Sequence, residues 1–451
     1  MKQKNSLFLY AFIAALGGLL FGFDTAVVNG ALQFFRAYLQ LQPDSFMEGW
    51  VVSSALVGCV IGAGFIGPFA DKYGRRNMLR AMALLILISA IGTGLATNVN
   101  NFVFMRIIGG IGVGGASVLS PIYISEIAPA RMRGRLTITF QLAIVIGILL
   151  AFFSDYLLIN TGKNNWRWMF IVEGVPATIF FLSLFFVSRS PRWLVKNGKI
   201  AQARIVVESI DPMTDADQMI IEIKESLDQE VISHMKYLFR KPYLRLVLIG
   251  ILIGMFNQFT GINVVMYYSS KIFLTAGFST ESSVLQTVII GATNLFFTLL
   301  AMAMIDRIGR KKMLLTGALL ITLFLALFVW FFLADVQGLI LLVMLVLFVA
   351  AFAFSQGAVV WVILSEMFPN NIRARATSIG TVSLWVFCFL TTLFFPVVVG
   401  FFANENGNGK GVGYIFGFYA IMTLISFFFF KKYLFETKGK TLEELEKDAL
   451  G

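Results

Sequence analysis

Twelve apolar runs, each long enough to cross a bilayer, constrain this chain more than any other feature. They begin near residues 7, 48, 78, 102, 136, 169, 244, 284, 312, 339, 376 and 412. A span needs about 20 largely apolar residues. Lipid offers no partner to a free backbone N–H or C=O, so each run is expected to be a helix. With 58% of the 451 residues hydrophobic, 14% charged and a mean hydropathy of +0.82, too little polar surface remains for a fold enclosed by water. The one long polar insertion divides the runs six and six. The expected organisation is therefore an all-α membrane protein: a six-helix bundle over residues 1–187, a linker over 188–243, a second six-helix bundle over 244–430 and a tail over 431–451. In the linker, KIAQARIVVESI and ADQMIIEIKESLDQEVI place apolar residues at helical spacing, predicting short amphipathic helices.

The two halves also repeat each other. DKYGRRNM from Asp71 returns as DRIGRKKM from Asp306 with four of eight positions identical, and SEIAPARMRGRLT from Ser125 returns as SEMFPNNIRARAT from Ser365 with six of thirteen. The offsets, 235 and 240 residues, are nearly equal at two independent places. That is the mark of a duplicated half, the usual build of a secondary transporter.

A net charge of +11 raises the question of nucleic acid, and the distribution of the charge answers it. With the N-terminus inside, 30 of 36 Lys and Arg fall in cytoplasmic segments, five fall outside and one, Arg106, lies within a span. The basic residues are topology signals that set both termini in the cytoplasm, not a nucleic-acid face. The first run is long and carries Asp24, so it is expected to remain as a span. Cys59 and Cys388 lie inside spans, and His234 stands alone in the linker, which supports neither a disulfide nor a metal site. No nucleophile–base motif, phosphate loop or metal cluster points to an enzyme or a cofactor.

Charges within spans are few, so each one matters. Asp24 lies deep in the first span and Arg106 toward the outer end of the fourth. A lone carboxylate is costly there and one facing a guanidinium is tolerable, so the two are expected to pair. Burial opposes ionisation of the acid and the arginine favours it, so motion of Arg106 away would let Asp24 take up a proton. Glu173 in the sixth span is a second candidate for the relay, and Asp155 near the end of the fifth is expected at the interface. A set of uncharged polar residues forms the other constellation: Gln141, Asn257, Gln258, Asn263, Asn294 and Gln356, with Phe21, Tyr267, Tyr268, Trp361 and Trp385 as apolar faces. Amides donate and accept hydrogen bonds, which suits a ligand made of hydroxyl groups, and aromatic faces suit a sugar ring. Glycine pairs at helix-packing spacing, Gly58 with Gly62 and Gly110 with Gly114, predict close backbone contact. Gly22 and Gly261 stand beside polar residues, where a helix is expected to unwind around a ligand.

At these residues the chain resembles the sugar porter family of the major facilitator superfamily, in particular its bacterial sugar–proton symporters. The likeness runs in order through GGLLFGFDTAVVNG from Gly17, DKYGRR from Asp71, RIIGGIGVGG from Arg106, SPIYISEIAPARMRG from Ser120 and SPRWL from Ser190. It continues with NQFTGINVVMYYSS from Asn257, DRIGRKK from Asp306, SEMFPNNIRARA from Ser365 and ETKGKTLEELE from Glu436. The resemblance implies a major facilitator fold, a central monosaccharide site opening alternately to each side, sugar contacts at Gln141, Gln258, Asn263, Asn294 and Trp385, and a proton-coupling acid and partner at Asp24 and Arg106. Facilitative members lack that acid, so Asp24 favours proton symport over facilitated diffusion or a non-transporting sensor. The expected partners are a monosaccharide, protons and the lipid of the inner (plasma) membrane, with the monomer as the working unit.

Several positions depart from the family pattern. Asn257 replaces a second glutamine, Gln356 and Ala358 replace a tryptophan and a proline, and Leu384 replaces a polar residue beside Trp385, so no particular sugar is implied. Arg189 reverses the charge of the usual glutamate before SPRW. The repeated clusters Asp71, Arg75, Glu126, Arg133 and Asp306, Arg310, Glu366, Arg373 are expected to form an inner gate between the bundles, pairing when the cytoplasmic side is closed.

Overall fold

A computed structural model of the protein describes residues 5–129, 132–210, 215–228, 238, 243–336, 338–368, 372–406, 410–436 and 438, and among them all regular structure is helical. The first five spans are Asn5–Tyr38, Phe46–Tyr73, Arg75–Gly94, Val99–Ile127 and Arg133–Leu158. The sixth is two helices, Asn165–Val172 and Gly174–Ser183. Pro176 has no N–H to give the Val172 carbonyl and Gly174 loosens the backbone, so the break falls at Glu173. The linker carries Pro191–Lys196, Ile200–Ile210 and Ala216–Asp228, while His234 lies outside the described residues.

In the second half the seventh span is Tyr243–Gln258 followed by Ile262–Thr275, and the eighth and ninth are Thr280–Ile308 and Arg310–Leu333. The tenth joins Leu339–Phe352 to Ala358–Glu366 through a π-helical turn at Ala353–Gly357, and Arg373–Asn406 and Gly411–Tyr433 are the eleventh and twelfth. Eleven helices are long and apolar enough to cross a membrane by length and composition. The sixth region, split into pieces of 8 and 10 residues, is not among them. The fold is nonetheless the two-bundle, twelve-span arrangement expected, and the chain is a multi-pass membrane protein.

Within the first bundle the first span packs on the fifth and the second on the fourth. Gly58 and Gly62 meet the backbone at Ile107 and Ile111, while Gly110 and Gly114 meet Ala55 and Cys59, so a β carbon at any of them would strike main chain. The predicted glycine seam is thus the contact between the second and fourth spans. Between bundles the broad contacts are second on eleventh and fifth on eighth. These are one contact made twice, since the duplication makes the second span the counterpart of the eighth and the fifth that of the eleventh.

Gly22 does not behave as expected. The first helix runs unbroken from Asn5 to Tyr38, and Gly22 lies against the fifth span, where a β carbon would stand 2.9 Å from the Ile148 nitrogen. Its role is close packing, the same that Gly147 performs from the facing helix. Asp155 also departs from expectation. It is fully buried against Gly30 of the first span rather than placed at the interface. The missing side chain at Gly30 makes the room that draws it inward.

The apolar core shows where the bundles join. One cluster contains the first bundle together with the half of the second bundle farthest from the linker, including Val264, Tyr268, Val284, Phe328, Phe348 and Phe395. The half of the second bundle nearest the linker, including Leu246, Ile305, Met313, Val359 and Leu364, forms a separate cluster. Among the described residues the apolar core is continuous between the bundles at the face away from the linker and divided at the linker face.

Candidate functional site

Asp24 and Arg106 meet in the interior of the first bundle. Arg106 donates through Nη1 to Asp24 Oδ1, through Nη2 to Oδ2 at 3.1 Å, and through Nη2 to the Asp24 carbonyl at 3.3 Å. Both side chains are almost wholly buried, and the guanidinium also lies 5.5 Å from the centre of the Phe170 ring. Such a two-pronged pair is the strong form of a charge-assisted hydrogen bond. Removing one partner of a buried pair typically costs about 3–5 kcal/mol.

The helix break of the sixth span puts Glu173 beside this pair, within electrostatic reach of both members and with Oε1 unpartnered. Two carboxylates then lie near one guanidinium in the buried interior of the bundle. The cluster carries surplus negative charge unless it holds a proton, which is the chemistry a proton carrier requires. Tyr267, from the second half of the seventh span, lies within electrostatic reach of Asp24 and Arg106.

The second constellation collects at the break in the seventh span. Gly261 has φ +82, and a β carbon there would also strike the ring of Tyr419, so glycine serves both the turn and the packing. Thr260 Oγ1 donates to the Asn257 carbonyl at 2.8 Å and closes the turn. The break lets three amides meet: Asn263 Nδ2 donates to Gln258 Oε1, and Gln258 Nε2 donates to Asn257 Oδ1 at 3.1 Å. Across the bundle seam the rings of Phe21 and Trp385 stand 5.0 Å apart. The Trp385 Nε1 donor is buried without a partner, and so are both polar atoms of Gln356, which the π-turn of the tenth span carries. Helical π-turns are frequent at functional positions. Buried, unpartnered amide and indole groups are costly unless a ligand completes them.

The remaining candidates are placed less tightly. Asn294 is buried on the eighth span and Gln141 half-buried on the fifth. Tyr268 is taken up within its own bundle, donating to the Thr392 carbonyl at 3.1 Å. Trp361, at 36% exposure on the linker half of the tenth span, is the one aromatic candidate that stands open.

Among the described side chains, the expected gate charges Asp71, Arg75, Glu126, Asp306 and Arg310 form ion pairs within their own halves. Arg75 donates to Asp71 at 2.9 Å and to Glu126 at 3.0 Å, Lys196 reaches Asp71 at 3.0 Å, and Arg310 donates to Asp306 at 2.9 Å. Glu436 accepts from the backbone N–H groups of Arg310 and Lys311 at 2.8 and 3.1 Å, capping the ninth span. The side chains of Arg133, Glu366 and Arg373 lie outside the described ones.

At the opposite face, contacts that sequence reasoning missed cross the seam. Asn29 of the first span is saturated by the seventh: its Nδ2 donates to the Met266 carbonyl at 2.8 Å and to Ser269 Oγ at 2.6 Å, while Oδ1 accepts from Ser270 N at 2.9 Å. Ser270 Oγ donates in turn to the Asn29 carbonyl at 2.7 Å. Lys271 pairs with the buried Glu48 and, at 2.8 Å, with Asp44, and Arg36 stands 3.7 Å from Glu48. The available signal was Glu48 itself, a carboxylate at the very edge of an apolar run.

The family model for sugar (and other) transporters matches residues 10–449. The chain is 38% identical to the arabinose-proton symporter of Bacillus subtilis over 96% of its length and 93% of that protein's. It is 38% identical to the D-xylose-proton symporter of Escherichia coli over 98% and 96%. Among solved structures, a partially occluded inward-open form of the E. coli xylose transporter superposes with a TM-score of 0.85 at 35% identity, covering 97% of this chain and all of that one. The proton–xylose symporter bound to 6-bromo-6-deoxy-D-glucose gives 0.83 at 37% identity over 98% or more of each chain. By sequence over nearly its whole length and by its two-bundle major facilitator fold, the chain belongs to the sugar transporter family.

Proposed function

We propose that the protein imports a monosaccharide together with a proton by alternating access, in the plasma membrane, with both termini and the linker cytoplasmic. The observation that carries this reading is the buried cluster of Asp24, Arg106 and Glu173, in which two acids share one base. The names of the relatives, sugar–proton symporters, support it. Asp24 takes the proton, Arg106 holds the unprotonated carboxylate, and Glu173 receives the charge when the pair opens. Gln141, Asn257, Gln258, Asn263, Asn294 and Gln356 supply hydrogen bonds to the sugar hydroxyls, with Phe21, Tyr267, Trp361 and Trp385 as ring faces.

Protonation of Asp24 releases Arg106 and permits the sugar-loaded carrier to close. Loss of the proton inside restores the ion pair and returns the empty carrier. One charge moving through 100 mV supplies about 2.3 kcal/mol, enough for roughly 50-fold accumulation from the electrical part alone. The linker-face charges exchange partners across the seam when that side closes. Both sites lie within one chain, so a monomer suffices.

The test is accumulation against counterflow in proteoliposomes. Asp24→Asn is expected to abolish accumulation while sugar counterflow persists. Accumulation by that variant at the wild-type level would contradict the proposal, and accumulation absent from the wild type itself would favour a uniporter.

A further inference from the structure

The linker face carries a group of cations for which the described residues supply no acid. Arg76 and Arg80 lie one turn apart at the start of the third span, and Arg189 follows the sixth. The three are close enough to act on one another electrostatically. The neighbouring carboxylates are engaged elsewhere, Asp71 by Arg75 and Lys196 and Glu126 by Arg75.

Part of this charge has a structural use. Arg76 donates to the Val187 carbonyl at 3.0 Å, and Arg80 donates twice to the Leu184 carbonyl at 2.9 and 3.2 Å, so both close the end of the sixth region. The rest is unspent. Arg76 Nε is buried without a partner. Arg189 lies over the Trp193 ring at 4.8 Å and makes no hydrogen bond or ion pair among the described residues.

Arg76 and Arg189 line a cleft of about 340 Å³, with Ser188 and Gln202 adding polar groups and Ile205 and Val206 an apolar wall. Guanidinium forks with a hydroxyl and an amide match the oxygens of a phosphate group. The rim formed by Ile205 is apolar and 65% exposed, and Phe185 and Phe186, just before Ser188 in the chain, are 54% and 77% exposed. A soluble anion gains nothing from such a rim, whereas a lipid places its acyl chains there and its headgroup among the arginines. Basic pockets beside spans on the cytoplasmic side are suited to anionic headgroups.

We propose that this cleft binds the phosphate headgroup of an anionic phospholipid of the cytoplasmic leaflet, with Arg189 and Arg76 as its recognition elements. The leaflet rests on the orientation proposed above, but the test does not. Full-length protein in detergent is titrated with phosphatidylglycerol or phosphatidylcholine of the same acyl chains, and bound lipid is counted by native mass spectrometry. The wild type should favour phosphatidylglycerol by about tenfold. Arg189→Glu should lose that preference, and Arg189→Gln should lose part of it. The lipid-free melting temperature of each variant should not fall below that of the wild type, since Arg189 holds no described hydrogen bond and faces two other arginines. Equal retention of phosphatidylglycerol by wild type and Arg189→Glu overturns the proposal. Displacement of the lipid by millimolar inorganic phosphate in the wild type alone would keep the phosphate site and overturn the lipid as its occupant.

Discussion

The two faces of this transporter, outer and cytoplasmic in the orientation proposed above, hold their charges differently. At the outer face Lys271 of the seventh span binds Glu48 and Asp44 of the other bundle, and Asn29 threads its amide into the backbone of the seventh. At the cytoplasmic face Arg75 binds Asp71 and Glu126, and Arg310 binds Asp306, all within one bundle. The apolar core repeats the division, continuous across the seam outside and separate inside. A contact holds a gate shut only if it joins parts that move relative to one another. The seam contacts of Asn29, Lys271, Glu48 and Asp44 join the two bundles and fit the proposed closed outer gate, whereas the described pairs at the linker face lie within their own bundles.

A covalent link across the seam tests this difference most severely. A disulfide between Asn29→Cys and Ser269→Cys, made with Cys59 and Cys388 replaced, should reduce sugar uptake to background and restore it on reduction. Uptake that survives complete cross-linking would show that the outer seam need not open. Asn29→Ala comes next, because it strips the seam of its amide and strands the Ser270 N–H. A loss of about 2–3 kcal/mol in the outer-closed state corresponds to roughly a 30- to 150-fold shift toward outward-facing forms. Thiol-reagent labelling of a single cysteine placed at Leu32 reads that shift, and unchanged labelling would remove Asn29 from the gate. Glu48→Gln should act in the same direction but more weakly, by several-fold, since Asp44 still holds Lys271. The smallest effect belongs to Asp71→Asn at the half-exposed cytoplasmic pair, within about 0.5 kcal/mol in stability and without change in outer labelling. A large change there would show that the cytoplasmic cluster already gates in this state.

How much of this was legible in the sequence follows from what one chain position reveals about another. Asp24 and Arg106 could be paired on paper because charges inside apolar runs are scarce and each needs the other. The seventh-span break was legible at Gly261, whose neighbours Asn257, Gln258 and Asn263 are polar within a span. Gly22 looked alike and was misread, because a glycine that admits a neighbouring backbone leaves the same trace as one that ends a helix. Asp155 was misread for want of Gly30, a facing residue 125 positions away. Lys271 and Glu48 were invisible as a pair because each stands at the edge of an apolar run, where a charge is ordinary. Sequence gives a residue's burial more readily than the partner it faces, and the outer gate depends on facing partners.

In the proposed mechanism sugar movement carries a proton through Asp24. The external pH of lightly buffered proteoliposomes, followed when sugar is added without a preset proton gradient, tests this. Proton symport through Asp24 requires a sugar-dependent alkalinisation outside for the wild type that is absent from Asp24→Asn, while labelled sugar still equilibrates by counterflow in the variant. Sugar entry into wild-type vesicles with no pH change, or an equal pH change with Asp24→Asn, would contradict it.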